Sequence, residues 1–124
     1  MRVYLPLELG ELEVLAAGGR LSIDSRPGVA VTAEFAVTVE SEEPDELDLI
    51  AALAASDLPG AAAVGVIECE APVVDAELGE VSVTSQAGAF DFECFLLGEV
   101  ESQDASWFGV QELDSLLSSL RARP

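Results

Sequence analysis

Three segments of the chain carry apolar residues at the spacing of an amphipathic helix. In the first, Leu12 and Leu15 share a stripe that ends at a pair of glycines, which are common where helices stop. The second has a proline in its first turn and an alanine- and leucine-rich stripe that runs to Leu58. The third extends from Val110 to Leu120 and ends in arginines, which suit the negative end of a helix dipole. The spacing therefore predicts three helices.

The second predicted helix opens on a cluster of acidic residues. Glu42, Glu43, Asp45 and Glu46 surround its start, just after Ser41, a residue type that often caps helices. Carboxylates at this end of a helix interact favourably with its dipole. We interpret the cluster as a capping device, and the alternative that it forms a binding site stays open.

Strands are indicated by β-branched composition or by alternation of apolar and polar residues. Residues 3–7 form a short apolar run typical of a strand buried on both faces, and residues 29–39 are rich in β-branched side chains. Three further segments alternate apolar and polar side chains, as half-buried antiparallel strands do: residues 61–74, 79–85 and 90–96. Residues 98–106 are polar and typical of a loop.

The resulting order of elements is β-α-β-α-β-β-β-α. It predicts a single α+β domain over residues 1–124, with a mixed sheet and with helices packed mainly on one face. A chain of 124 residues, half of them apolar, is long enough to bury a sizeable core without disulfides.

The charge of the chain excludes some classes of binding partner. The 24 acidic residues outnumber 5 basic ones, all arginines, and the net charge is -19. All but four of the acidic residues, and none of the basic ones, lie between positions 27 and 120. Because such a surface repels phosphate backbones and anionic lipid headgroups, we expect no direct contact with nucleic acid or with a membrane.

The absence of certain residue types excludes several reactions. The chain contains no histidine and no lysine, so it cannot build a Ser-His-Asp triad, a Cys-His pair, a lysine Schiff base or a histidine-ligated zinc site. It also has no glycine-rich motif of the kind that holds phosphates. We expect a protein without a cofactor and without catalytic activity, although a site built from carboxylates alone stays possible.

Four carboxylates are candidates for a cation site. Glu68 and Glu70 fall on one predicted strand, and Asp91 and Glu93 fall on another. If these strands are neighbours, the four groups share one face, where Ca²⁺ or Mg²⁺ could screen their repulsion. The alternative is that they form an ordinary solvated strand face.

Two cysteines and one aromatic pair have competing interpretations. Cys69 and Cys94 are predicted to be small buried side chains, whose thiols approach each other if their strands are adjacent. Trp107 and Phe108 precede the last helix. They are candidates for an exposed partner-binding anchor, but packing as a hydrophobic staple against the start of the helix is commoner.

The apolar stretches of the chain favour a cytoplasmic protein. The first is interrupted by Pro6 and Glu8, which is unlike a secretory signal. The later ones are shorter than the roughly 20 residues that a membrane-spanning helix needs. In the cytoplasm both cysteines are expected to stay reduced.

Several stretches carry a family resemblance. They are the opening Met1–Pro6, the central Phe35–Thr38 and Asp45–Leu47, and the closing Ser106–Leu113. Together they resemble a family of small actinobacterial proteins catalogued only as a domain of unknown function. The resemblance covers most of the chain in outline, apart from residues 79–106. It implies a bacterial cytoplasmic source, and it implies no catalytic residue because the family has no assigned activity.

These observations favour an acidic protein-interaction module without enzymatic activity. Its partner would present a basic or apolar protein surface to an uncovered sheet face or edge. Two alternatives remain: a small carboxylate-based enzyme or divalent-cation site on the sheet face, and a nucleic-acid mimic that blocks a DNA-binding protein. The sequence leaves the oligomeric state open.

Overall fold

A computed structural model of the chain describes residues 1–99 and 104–122. Its strands are β1 (Arg2–Leu7), β2 (Arg20–Ala30), β3 (Ala63–Glu68), β4 (Val73–Asp75), β5 (Glu80–Gly88), β6 (Phe92–Glu99) and β7 (Asp104–Phe108). Its helices are α1 (Leu9–Ala16), α2 (Ala33–Thr38), α3 (Pro44–Ser56) and α4 (Leu113–Arg121). Single turns of 3-10 helix precede β6, at Ala89–Asp91, and α4, at Val110–Glu112.

The strands form one sheet in the order β4-β5-β2-β1-β3-β6-β7. The predicted α+β class is confirmed. The prediction of a mixed sheet is wrong, because every pair of neighbouring strands is antiparallel. The helix α1 does not cross over to a parallel strand; it leads into a strand that runs back beside β1, with Val3 opposite Ala30.

Helices cover both faces of the sheet. Along β1, Val3 and Leu5 pack into an apolar cluster with residues of α1 and α4, whereas Tyr4 packs into a second cluster with residues of α2 and α3. The prediction of helices mainly on one face is therefore wrong. The reason lies in the central strands, which are apolar on both sides: every residue of β1 from Val3 to Leu7 is buried.

The segment 29–39, predicted to be a strand, contains a helix. The strand β2 ends at Ala30, and α2 begins after Thr32, whose side-chain oxygen accepts a hydrogen bond from the Phe35 N–H at 3.0 Å. This cap outweighs the β-branched composition of the segment. Phe35 then enters the core from the helix.

Other boundaries also differ from the prediction. The segment 61–74 divides into β3 and the short edge strand β4, and the strand predicted over residues 79–85 extends to Gly88 as β5. Parts of the predicted loop 98–106 belong to the paired strands β6 and β7, and residues 100–103 lie outside the described residues. Trp107 and Phe108 consequently belong to an edge strand, where they pair with Leu96 and Phe95 of β6.

Candidate functional site

The two layers of helices differ in charge. In the layer of α1 and α4, arginines pair with carboxylates: Arg26 lies 2.7 Å from Glu11, and Arg121 lies 3.0 Å from Glu13. The segment 31–60, which contains α2 and α3, is rich in acidic residues and has no basic residue. The segment that forms α2 and α3 therefore contributes eight carboxylates and no basic residue of its own.

An open groove of about 860 Å³ runs between α2 and α3. Its apolar lining consists of Ala33, Ala36, Val37 and Leu47, and its polar lining consists of Ser41, Glu40, Glu42, Glu43 and Glu46. We call this depression the α2–α3 groove. The Val37 side chain is 77% exposed, which is unusual for a valine and leaves an apolar surface in the groove open to a partner.

The turn between the two helices holds the acidic lining in place. Glu40 has a φ of 56°, a left-handed conformation that costs a residue with a Cβ atom about 1–2 kcal/mol. Pro44 occupies the first turn of α3, where no N–H is needed. Glu43 holds the N-cap position, but its side chain makes no capping hydrogen bond. Of the acidic cluster, Asp45 and Glu46 lie in the first turn, where carboxylates favour the dipole.

A polar cluster lies on the other side of α3. The Tyr4 hydroxyl donates a 2.6 Å hydrogen bond to Asp48 Oδ1, and Arg2 Nη1 lies 3.3 Å from Asp48 Oδ2. Arg2 Nε donates a 2.8 Å bond to Glu93. These bonds tie the first strand to α3 and β6, and we call this set the Arg2–Tyr4–Asp48 cluster. Burial and the neighbouring Asp48 raise the pKa of Tyr4, so the phenol stays neutral.

A cleft of about 450 Å³ lies beside this cluster. It is lined by Arg2, Asp45, Asp48, Leu49 and Trp107. The Trp107 side chain is 48% exposed at the sheet edge. We call this depression the Trp107 cleft, and it combines a half-exposed indole ring with carboxylates supplied by one helix.

Three of the four predicted cation ligands pair with different cationic groups, and Glu70 forms no ion pair with the described residues. The four are Glu68, Glu70, Asp91 and Glu93. Glu93 binds Arg2, Asp91 lies 3.6 Å from Arg20, and Glu68 lies 3.1 Å from the N-terminal ammonium group. In the described part of the chain, no group of three or more acidic or cysteine side chains is arranged to hold a metal ion. The structure therefore does not assemble the four carboxylates into one site.

The two cysteines pack on opposite faces of the sheet. Cys94 contacts the cluster of α2 and α3, and Cys69 contacts the cluster of α1 and α4. Both are free thiols and are partly rather than fully buried. Burial raises the pKa of each thiol, which disfavours the reactive thiolate. The two thiols do not approach each other as adjacent strands would suggest, because Cys69 and Cys94 pack against different layers of helices.

The aromatic pair at the C-terminal end has two different environments. Phe108 is partly buried against the cluster of α1 and α4, whereas Trp107 lines the cleft on the opposite face. Both belong to β7, which ends at Phe108, just before the 3-10 turn that leads into α4. Phe108 packs in the same apolar cluster as Leu113 of α4, as a staple would, whereas Trp107 does not. The structure separates the two candidates and leaves the indole as the exposed one.

Sequence reasoning missed further exposed apolar side chains. Phe90 falls within the segment 90–96, which is predicted to be a half-buried strand, but it lies in a 3-10 turn and is 87% exposed. Val37 was assigned to a strand, and Leu78, which is 62% exposed, lies in the turn before β5. No pattern marks these positions in advance, because an apolar residue in a turn or a short helix has the same sequence signature as a core residue.

Comparison of the chain with protein-family models, with curated proteins and with solved structures finds no match. The resemblance to an actinobacterial family accordingly stays a prediction. Among the described residues, no helix combines the length and the apolar character needed to cross a membrane.

Proposed function

We propose that the protein is a non-enzymatic interaction module of a bacterial cytoplasm whose α2–α3 groove binds a basic amphipathic segment of another protein. The observation that carries the proposal is the composition of the groove, in which alanine, valine and leucine side chains meet four glutamates. The apolar lining suits the apolar stripe of an amphipathic helix, and the glutamates suit its lysines or arginines.

The surroundings of the groove support this choice of partner. No basic residue of the segment 31–60 competes for the glutamates. In the layer of α1 and α4, by contrast, arginines of the chain already pair with carboxylates. A basic segment would therefore gain more in the α2–α3 groove, because the four glutamates of the groove form no ion pair with the described residues.

The apolar lining distinguishes this proposal from a nucleic-acid mimic. A mimic needs carboxylates spaced like phosphates, and an apolar surface between them adds nothing to its contacts with a DNA-binding protein. In the groove, the exposed Val37 side chain lies among the glutamates. This arrangement favours a partner that is apolar as well as basic.

The proposal is tested with a synthetic amphipathic peptide of about 18 residues, built from leucine and lysine, at an ionic strength of about 0.15 M. Titration calorimetry compares this peptide with a scrambled one of identical composition that has no apolar face. We expect the amphipathic peptide to bind at least about ten-fold more tightly than the scrambled one, because only it can place leucines on the apolar lining.

Variants locate the binding on the protein. Val37→Ser removes apolar contact and should weaken the peptide about five-fold, and the pair Glu42→Gln with Glu46→Gln should weaken it about three- to ten-fold. A control pair with the same change of charge, Glu70→Gln with Asp114→Asn, lies outside the groove and should leave the affinity unchanged. Equal binding of the scrambled peptide, or equal losses in both pairs, would show only diffuse attraction and would contradict the proposal.

A further inference from the structure

The Trp107 cleft has the chemistry of a site for a single planar cation. Its aromatic wall is the half-exposed Trp107 ring, and indole is the aromatic group that attracts cations most strongly. None of the described residues forms a cation–π contact with this ring. The ring therefore has an exposed surface that a ligand could cover.

The carboxylates of the cleft differ in how far they are engaged. Asp48 already binds Tyr4 and Arg2. Asp45 is exposed and forms no hydrogen bond or ion pair with the described residues, although it lines the same cleft as Trp107. Both belong to the first two turns of α3, so a cation placed against the ring would lie near a carboxylate with an unused hydrogen-bonding capacity.

Arg2 is not the cation that the Trp107 ring and Asp45 could bind, although it lines the cleft. Its guanidinium is bound by Asp48 and by Glu93, so its donors are directed to these carboxylates. Asp45, Asp48 and Glu93 carry three negative charges against the single positive charge of Arg2, so the local charge remains negative. A second cation is therefore attracted to the cleft rather than repelled from it.

We infer that the Trp107 cleft binds the guanidinium group of an arginine side chain presented by a partner protein. A planar guanidinium can stack on the indole ring and at the same time donate two parallel hydrogen bonds to Asp45. An ammonium group is not planar, so it cannot both lie flat on the indole ring and donate two parallel hydrogen bonds to Asp45. The apolar Leu49 would contact the aliphatic stem of the arginine. This inference deepens the proposed function and rests on it only in taking the partner to be basic.

The single tryptophan of the chain provides the assay. N-acetyl-arginine amide is titrated into the whole protein, and the emission of Trp107 is followed. We expect saturable binding with a dissociation constant of about 1 mM, as befits so small a ligand. N-acetyl-citrulline amide, which is similar in shape but uncharged, should leave the emission unchanged, and N-acetyl-lysine amide should bind more weakly than the arginine compound.

Two neighbouring substitutions supply the matched comparison. Asp45→Asn should weaken the arginine compound about three- to five-fold, while Glu46→Gln, the same loss of charge one residue away, should leave it unchanged because Glu46 lines the α2–α3 groove instead. Circular dichroism verifies that both variants fold. An emission that does not respond, a response shared by the citrulline compound, equal binding of the lysine compound, or equal losses in the two variants would overturn the inference.

The two tests can fail separately. If the amphipathic peptide binds through the groove while the arginine compound does not affect Trp107, the proposed function stands and the cleft site is wrong. If the arginine compound binds in the cleft and the peptide shows only diffuse attraction, the cleft is a cation site and the groove is not the docking surface.

Discussion

Tyr4 is the single tyrosine of the chain, so its ionisation can be followed without interference from another phenol. Its side chain is fully buried, and its hydroxyl donates a 2.6 Å bond to Asp48. Burial, and then the bond to Asp48 and the charge of that group, raise the pKa of Tyr4 well above its usual value of about 10. The folded protein therefore keeps the phenol proton at a pH where the unfolded chain loses it.

This difference fixes the sign and size of a pH effect. Below about pH 10 both states keep the proton, and the contribution of the phenol to stability is fully present. Above that pH the unfolded state ionises alone, so the free energy of unfolding falls by about 1.4 kcal/mol per pH unit until the folded pKa is reached. Tyr4→Phe has no phenol and lacks this contribution to the pH dependence.

The size of the effect follows from the hydrogen bond and from the linkage relation. Because Tyr4→Phe removes a hydrogen bond to a charged group, we expect it to lower the free energy of unfolding by about 2 kcal/mol at about pH 8. At about pH 11 the wild type has lost some 1.4 kcal/mol of its advantage, so the two proteins should differ by only about 0.6 kcal/mol. The cysteines Cys69 and Cys94 are present in both proteins, so the effect of their ionisation on the free energy of unfolding occurs in both.

Urea denaturation at the two pH values measures the difference, and near-ultraviolet absorbance of tyrosinate measures the ionisation directly. In concentrated urea the phenol should titrate near its ordinary value of about 10, which provides the control. Titration of the native protein at that same value, with its circular dichroism spectrum unchanged, would refute the buried hydrogen bond. A difference between wild type and Tyr4→Phe that stays constant from about pH 8 to about pH 11 would also refute it.

Three further predictions concern packing, ion pairs and thiols. A Cβ atom at Gly65 would lie 2.6 Å from an aromatic carbon of Phe92 in β6. Gly65→Ala should therefore lower the free energy of unfolding, measured by urea denaturation, by about 1–3 kcal/mol. An unchanged free energy of unfolding would contradict this close packing. Arg26→Ala should lower the free energy of unfolding by about 1–2 kcal/mol, because the ion pair of Arg26 with Glu11 is mostly buried. Arg121→Ala should lower it by less than about 0.5 kcal/mol, because the ion pair of Arg121 with Glu13 lies on the surface. Equal losses in the two variants would contradict this difference. Since Cys69 and Cys94 pack on opposite faces, mild oxidation of the native protein should form no internal disulfide. A decrease in mass by two hydrogen atoms in mass spectrometry would contradict this placement.

The fold could be predicted where the local signal and the tertiary structure agree. Pro44 lies in the first turn of α3 as its position in the pattern indicates. Most leucines of α1 and α4 lie in the core: Leu12, Leu15, Leu113, Leu116 and Leu117. The segment at 33–38 could not be predicted from composition, because a single cap at Thr32 decides between helix and strand there. The strand β2 was missed over most of its length, because Ser25, Pro27 and Gly28 resemble a turn, although Leu21 and Ile23 alternate as buried residues.

The candidate site was predictable only in part. Trp107 was singled out from the sequence as a residue with an exposed alternative, and the structure places it on the edge of the sheet. Its association with Asp45 depends on how α3 lies against β1 and β6, which the spacing of residues along one strand cannot reveal. The groove beside α2 was hidden because the segment that contributes Val37 was assigned to a strand, where that valine would be buried.

The gap in basic residues between positions 27 and 120 becomes a spatial asymmetry once the chain is folded. The glutamates of the α2–α3 groove repel each other, and the acidic face has no arginine of its own segment to relieve them. Such self-repulsion destabilises the folded state at low ionic strength and is screened within about 10 Å at 0.1 M salt. Holding a binding face ready for a basic partner therefore carries a cost in stability.

That cost predicts how salt and charge removal act together. Raising NaCl from about 0.01 M to about 0.15 M should raise the melting temperature of the wild type, because it screens the repulsion. Glu42→Gln, which lies in the groove but before the helix, should raise the free energy of unfolding by a few tenths of a kcal/mol at low salt and have almost no effect at high salt. Asp24→Asn, at the irregularity of β2 between Ile23 and Arg26, is the control and should show a smaller gain in the free energy of unfolding. If Glu42→Gln destabilises the protein at low salt, the acidic cluster is a structural cap after all, and the argument that the groove is held open for a cationic partner loses its energetic basis.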